Sequence, residues 1–210
     1  MPRRSILSAA ERASLLLPPD TEDELIRHYA FGETDLSLIR QRRGDANRLG
    51  VAAQLCLLRL PGQGLLPDAS MPMSLLQWIG RQLRIDPSCW PQYAEREETR
   101  REHLLELRAY LGVEPFGLAH YRQAVHATTE LALQTDKGIV LAVSVLDTLR
   151  HRHIIIPALD VIERVCAEAI TRANRRIYEA LSESLADTHR RRLDDLLKRR
   201  DNGKTTWLAW

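Results

Sequence analysis

With 210 residues, 44% of them hydrophobic and 28% charged, the chain can bury a real core in one large or two small domains, which excludes an intrinsically disordered polypeptide. A net charge of only +2, from 30 basic and 28 acidic residues, excludes a uniform polycation that coats nucleic acid by charge alone. No apolar run approaches a membrane span, and Glu11 and Arg12 interrupt the N-terminal M-P-R-R-S-I-L-S-A-A-E-R before it can act as a signal peptide, so the sequence reads as cytoplasmic.

Nearly every segment has helical period. Ser8 with Glu11 and Thr21 with Glu24 have capping-box spacing and predict two short helices. Thr34 is the predicted cap of a third, Asp35 to about Arg42; Gly44 breaks it and Asp45 starts a fourth that runs to Arg59. Pro61-Gly-Gln-Gly64 and Pro67 form the best internal boundary. Further helices are predicted at Ser74 to Arg84, Pro91 to Leu111 (closed by Gly112), Leu118 to Leu133 and Asp136 to Arg150. The β-branched residues Ile139, Val140, Val143 and Val145 also suit a strand, but the spacing Ile139, Val143, Leu146, Leu149 favours helix. Pro157 opens the longest helix, to about Ser184, with an apolar stripe of Leu159, Ile162, Cys166, Ala169, Ala173, Ile177 and Leu181. Asp187 starts a last helix, through Arg190, Arg191 and Arg192, to Arg200. The final D-N-G-K-T-T-W-L-A-W, Asp201 to Trp210, reads as the start of a helix and predicts the front piece of something longer. The expected class is all-α, a multi-helix array with helix-turn-helix-like modules: residues 1–66, with the helix-turn-helix-like segment at 35–59, then 70–210, with the long helix at about 157–184 and an unfinished C-terminus.

Most signals for chemistry fail. Gly203-Lys204-Thr205 resembles the tail of a P-loop, but position 198 is Lys where the first glycine belongs, and a charged helix precedes it instead of a strand. His151 and His153 are two apart and His120 and His126 six apart, so neither pair shares a helical face for a metal. Cys56, Cys89 and Cys166 stand far apart among apolar neighbours and read as buried thiols.

What survives is Asp35 to Arg59, with the form helix, glycine turn, helix. Its second helix is polar only in the first turn, at Asp45, Asn47 and Arg48, and apolar afterwards. A helix-turn-helix reader has this profile, because the start of its second helix meets base edges while the rest packs on the domain. Arg40, Arg42 and Arg43 stand before the turn, where they can grip phosphates; Asn47 and Arg48 suit adenine and guanine edges. The alternative is a plain helical hairpin with a basic, solvated elbow. A second candidate surface comprises Arg172, Arg175 and Arg176 on the long helix with Arg190, Arg191 and Arg192, although interleaved acids favour a solvated face there.

Five blocks in order, R-Q-R-R-G-D-A-N-R-L-G-V-A-A-Q-L-C-L-L-R (Arg40 to Arg59), D-P-S-C-W-P-Q-Y (Asp86 to Tyr93), E-L-A-L-Q-T-D-K-G-I-V-L-A (Glu130 to Ala142), I-I-I-P-A-L-D-V-I-E-R-V-C-A-E-A (Ile154 to Ala169) and L-D-D-L-L-K-R-R-D-N-G-K-T-T-W-L-A-W (Leu193 to Trp210), resemble the N-terminal region of the Tn-three family of replicative class II bacterial transposases. The resemblance implies a much longer protein that binds transposon terminal inverted repeats as double-stranded DNA, pairs two ends, and joins them to a target. It places the strand chemistry, a metal-binding acidic triad with Mg²⁺, in a C-terminal part outside this sequence. No catalytic residue and no cofactor is therefore expected here, and self-association is expected through that missing part. Val51 and Leu60 depart from the family's pattern, where aromatics are expected. A helical assembly scaffold with little DNA contact is the rival reading, motivated by the near-neutral charge and by Trp207 and Trp210.

Overall fold

The computed structural model describes residues 6–19, 21–65, 71–94, 97–183 and 185–197. Among them the chain is all-α, with no strand: α1 Ala9–Leu15, α2 Glu22–Tyr29, α3 Glu33–Arg40, α4 Asp45–Arg59, α5 Met73–Leu83, a 3₁₀ turn Pro87–Cys89, α6 Trp90–Ala94, α7 Glu97–Leu111, α8 Leu118–Ala132, α9 Gly138–His151, α10 Leu159–Glu183 and α11 Asp187–Leu197. Pro67, the expected run of the last helix to Arg200 and the helix start at Asp201 to Trp210 lie outside the described residues.

The first core is built around α4. Every residue from Leu49 to Leu58 is buried, so this helix is apolar all round and needs neighbours on all sides. Helices α2, α3, α5, α6 and α7 supply them, through Leu25, Tyr29, Ile39, Leu75, Ile79, Trp90 and Leu107. Val51 and Leu60, the two positions where the resemblance leads one to expect aromatics, both pack into this core. The second core is a three-helix layer of α8, α9 and α10, in which Val125, Leu141, Val145, Leu149, Ile162 and Val165 meet, joined by Leu7 from before α1. Packing runs between the two across residues 61–65: Arg150 Nε donates to the Pro61 carbonyl at 3.1 Å, the Ile156 amide to Gly62 at 2.8 Å, and Gln63 Nε2 to the Pro157 carbonyl at 3.1 Å. Arg12 ties α1 to α10 through Asp160 (2.5 Å) and Glu163.

Several local expectations are met and others are corrected. The Ser8–Glu11 capping box is complete on both sides. Thr21 precedes α2 but gives its hydroxyl to the Glu24 carboxylate (3.0 Å), so no side-chain cap forms there. Thr34 does not cap α3: the helix begins two residues earlier, at Glu33 after Gly32, and Asp35 reaches back to the Gly32 amide at 2.9 Å. Residues 138–151 are helical, which resolves the β-branched run, and their cap is Lys137 and not Asp136. The Pro91 to Leu111 helix is seen as α6, preceded by a 3₁₀ turn that Asp86 caps, and α7, with residues 95 and 96 between them undescribed. The long helix starts at Leu159, because Ile156 and Pro157 are held extended against residues 62 and 63. Cys56 and Cys166 are buried, as expected, but Cys89 is only half-buried beside the 3₁₀ turn. Among the described residues no helix is long and apolar enough to cross a membrane.

Candidate nucleic-acid interface

The glycine elbow forms as its sequence predicts. Helix α3 ends at Arg40, and Gly44 enters α4 with φ 79°, in the left-handed region that glycine adopts without strain. The polar first turn of α4 stays at the surface while its remainder is buried, which is the profile expected of a helix that presents its start to a ligand.

The five elbow residues divide into two groups. Arg40 and Arg43 are exposed, and their side chains make no hydrogen bond or ion pair among the described residues. Their guanidinium groups are available to an external anion. Asn47, Arg48 and Arg42 instead hold the turn itself. Asn47 Nδ2 donates to the Arg43 carbonyl (3.0 Å), and Arg48 Nε to the Arg42 carbonyl (3.0 Å), so both satisfy backbone acceptors that the end of α3 leaves open. Arg48 retains a second, loose contact with Asp45 at 3.6 Å. Arg42, expected on phosphate, turns inward and pairs with Glu106 on α7; its side chain is only 17% exposed.

Beneath the elbow lies a polar network whose pairings the sequence does not announce. Asp35, 3% exposed, accepts from Arg59 Nη2 (2.6 Å), from the Tyr110 hydroxyl (2.7 Å) and from the Gly32 amide. Burial pushes its carboxyl up, but these three donors together outweigh burial and hold it below the ordinary aspartate range. One layer deeper, Gln54 Nε2 donates to the Tyr93 hydroxyl (2.5 Å) and to the Arg100 carbonyl (3.2 Å), and the Tyr93 hydroxyl lies 3.2 Å from His103 Nδ1. The Tyr93 and His103 rings stack with centroids 5.7 Å apart. Burial, and then the positive charge of Arg42, lower the His103 pKa against the opposing charge of Glu106. The one legible hint was Gln54, a lone polar residue in the apolar run A-A-Q-L-C.

The second basic surface is differently composed. Arg172 pairs with Glu168 (2.6 Å) and Arg175 with Glu179 (2.8 Å), which agrees with the interleaving of acids along the long helix, while Arg176 pairs with Glu130 of α8 (2.6 Å). These are solvent-screened surface pairs that contribute little and are readily exchanged for another anion. Arg190 donates to the Ser182 carbonyl (2.9 Å), while Arg191 and Arg192 are exposed on α11. The structure does not bring this patch into contact with the elbow: the one side belongs to the α4 core and the other to α10 and α11. No group of three or more His, Cys, Asp or Glu side chains among the described residues is arranged to hold a metal ion.

Comparison with known proteins gives the chain its relatives. Residues 6–169 match the family described as a domain of unknown function (DUF4158). The chain is similar to the transposase for transposon Tn21 of Escherichia coli, 64% identical over 210 residues, which are all of this chain and 21% of that protein. It is similar to the transposase for transposon Tn501 of Pseudomonas aeruginosa, at 56% identity over 210 residues with the same coverage, 100% and 21%. The transposase for transposon Tn1546 of Enterococcus faecium is 32% identical over 209 residues, 99% of this chain and 21% of that protein. The chain thus spans 21% of the length of these curated relatives, in their N-terminal part.

Proposed function

The chain belongs to the DUF4158 family, and we propose that it is the non-catalytic front part of a replicative transposase, which recognises the terminal inverted repeats of a transposon as duplex DNA. The observation that carries this reading is the elbow: two arginines with exposed, unpartnered side chains, Arg40 and Arg43, stand just before a glycine that leads into a helix whose polar first turn is at the surface and whose next ten residues are buried. Arg40 and Arg43 grip phosphates. Asn47 and Arg48 leave the carbonyls they hold and meet base edges, an exchange of one neutral acceptor for another. Arg172, Arg175, Arg176, Arg190, Arg191 and Arg192 form a second phosphate surface that lengthens the footprint and adds avidity. Strand transfer, its Mg²⁺ and the pairing of transposase subunits belong to the part of the protein outside these 210 residues.

The roles separate by salt dependence. Arg43→Ala is expected to weaken every duplex alike and to lower the slope of log affinity against log salt by about one unit. Arg48→Ala is expected to remove about 1–3 kcal/mol of discrimination between a terminal repeat and a scrambled duplex, with little change in the scrambled affinity. Parent-like binding by both variants in a fluorescence-anisotropy titration would contradict the assignment. The second reading, an assembly scaffold, is favoured by the exposed apolar side chains on the last turns of α10 and on α11, namely Tyr178, Leu181, Leu193 and Leu197.

A further inference from the structure

We propose that Arg42 is a positioning residue and not a phosphate ligand: paired with Glu106, it docks the elbow on one face of α7 and so sets where Arg40 and Arg43 stand. This rests on the DNA-binding reading above. The Arg42 guanidinium already carries a carboxylate, its Nε is buried without an acceptor, and its own carbonyl is held by Arg48 Nε at 3.0 Å. To reach a phosphate it would have to leave Glu106 and swing out of a largely buried place. Arg40 and Arg43, two positions before it and one after, have no such tether.

Helix α7 holds the other end of the same unit by the same face. Glu106 and Tyr110 are one turn apart and project together. Tyr110 bonds Asp35 (2.7 Å) and Thr34 (3.0 Å) in the first turn of α3, while Glu106 takes Arg42 just past its end. Helix α7 is itself fixed to α4, because Gln54 donates to the Arg100 carbonyl and His103 stacks on the Tyr93 ring. Both helices of the elbow are therefore referenced to α7, and the Arg42–Glu106 pair is the tie nearest the exposed arginines. Losing it leaves the apolar core intact but lets the turn carry Arg40 and Arg43 out of register with the phosphates. Such a loss weakens binding by misplacing Arg40 and Arg43, although Arg42 itself touches no phosphate.

Reversing the pair separates positioning from contact. The parent chain, Arg42→Glu, Glu106→Arg and the double variant are titrated into a labelled class II terminal inverted repeat across a salt series, with thermal unfolding of each followed by circular dichroism. Each single variant is expected to bind about tenfold more weakly, and the double variant to return to within about threefold of the parent with the parent's salt slope, because the tie is restored with its charges exchanged. Glu106→Gln, which keeps the shape and removes the charge, is expected to weaken binding about threefold with an unchanged slope, and covers the case in which a reversal fails to fold. A double variant that folds but stays as weak as Arg42→Glu, with a slope lower by about one unit, would show Arg42 on a phosphate and overturn this proposal alone. A parent that binds no duplex overturns the DNA-binding reading and this proposal with it.

Discussion

Replacing Gly50 by alanine is expected to destabilise the chain by about 3 kcal/mol, although alanine is the better helix former. In an unobstructed helix interior the same change gains about 0.5–1 kcal/mol. Here the opposite sign follows from one contact. A Cβ at position 50 would lie 2.2–2.4 Å from Cγ, Cδ2 and Cδ1 of the Tyr93 ring. That ring cannot retreat: it is 1% exposed, its hydroxyl is bonded to Gln54, and it stacks with the His103 ring. Glycine is thus the residue that lets α6 lie directly on the backbone of α4. Urea unfolding of Gly50→Ala beside the parent checks this, and a variant as stable as the parent would mean that α6 does not pack on α4 as described.

Asp35→Ala is expected to cost on the order of 2 kcal/mol, since it leaves the half-buried Arg59 guanidinium without its carboxylate and takes from the Tyr110 hydroxyl one of its two acceptors, Thr34 being the other. The pH dependence has a definite sign. In the folded chain the Asp35 carboxyl sits below the ordinary aspartate value, whereas the unfolded chain titrates it near about 3.9. The unfolded state takes up the proton first, so the contribution is complete above that pH and is lost as pH falls below it, through the folded-state value. Asp35→Asn preserves the shape and abolishes this part of the acid sensitivity. Unfolding free energies of parent and Asp35→Asn between pH 6 and pH 3 should converge on acidification; parallel curves would mean that Asp35 does not carry the charge that organises α3.

The residues that were legible in the sequence are those whose partners are close in the chain. The Ser8–Glu11 box, the left-handed Gly44 and the buried run Leu49 to Leu58 each follow from spacing of four residues or fewer, or from a single conformational requirement. The pairings that organise the elbow are of another kind. Asp35 meets Arg59 at a separation of 24 residues and Tyr110 at 75, and Arg42 meets Glu106 across three intervening helices. Charge spacing along one helix has no access to such pairs, so Arg42 looked as available as Arg40 and Arg43. Asn47 and Arg48 suit base edges by residue type, while the carbonyls just past the end of α3 supply an intramolecular alternative. The surface of α10 was legible, because Arg172 with Glu168 and Arg175 with Glu179 are neighbours one turn apart.

The most direct test of the central claim is fluorescence anisotropy of this chain with a labelled class II terminal inverted repeat and a scrambled duplex of equal length, across a salt series. A preference for the repeat that survives near physiological salt is the predicted result, with base-edge contacts adding to a salt-dependent phosphate grip. Equal and steeply salt-sensitive binding to both duplexes would contradict sequence recognition by these residues and leave only a phosphate-gripping surface. Absence of binding to either, with self-association in light scattering, would replace the DNA reading by the assembly scaffold.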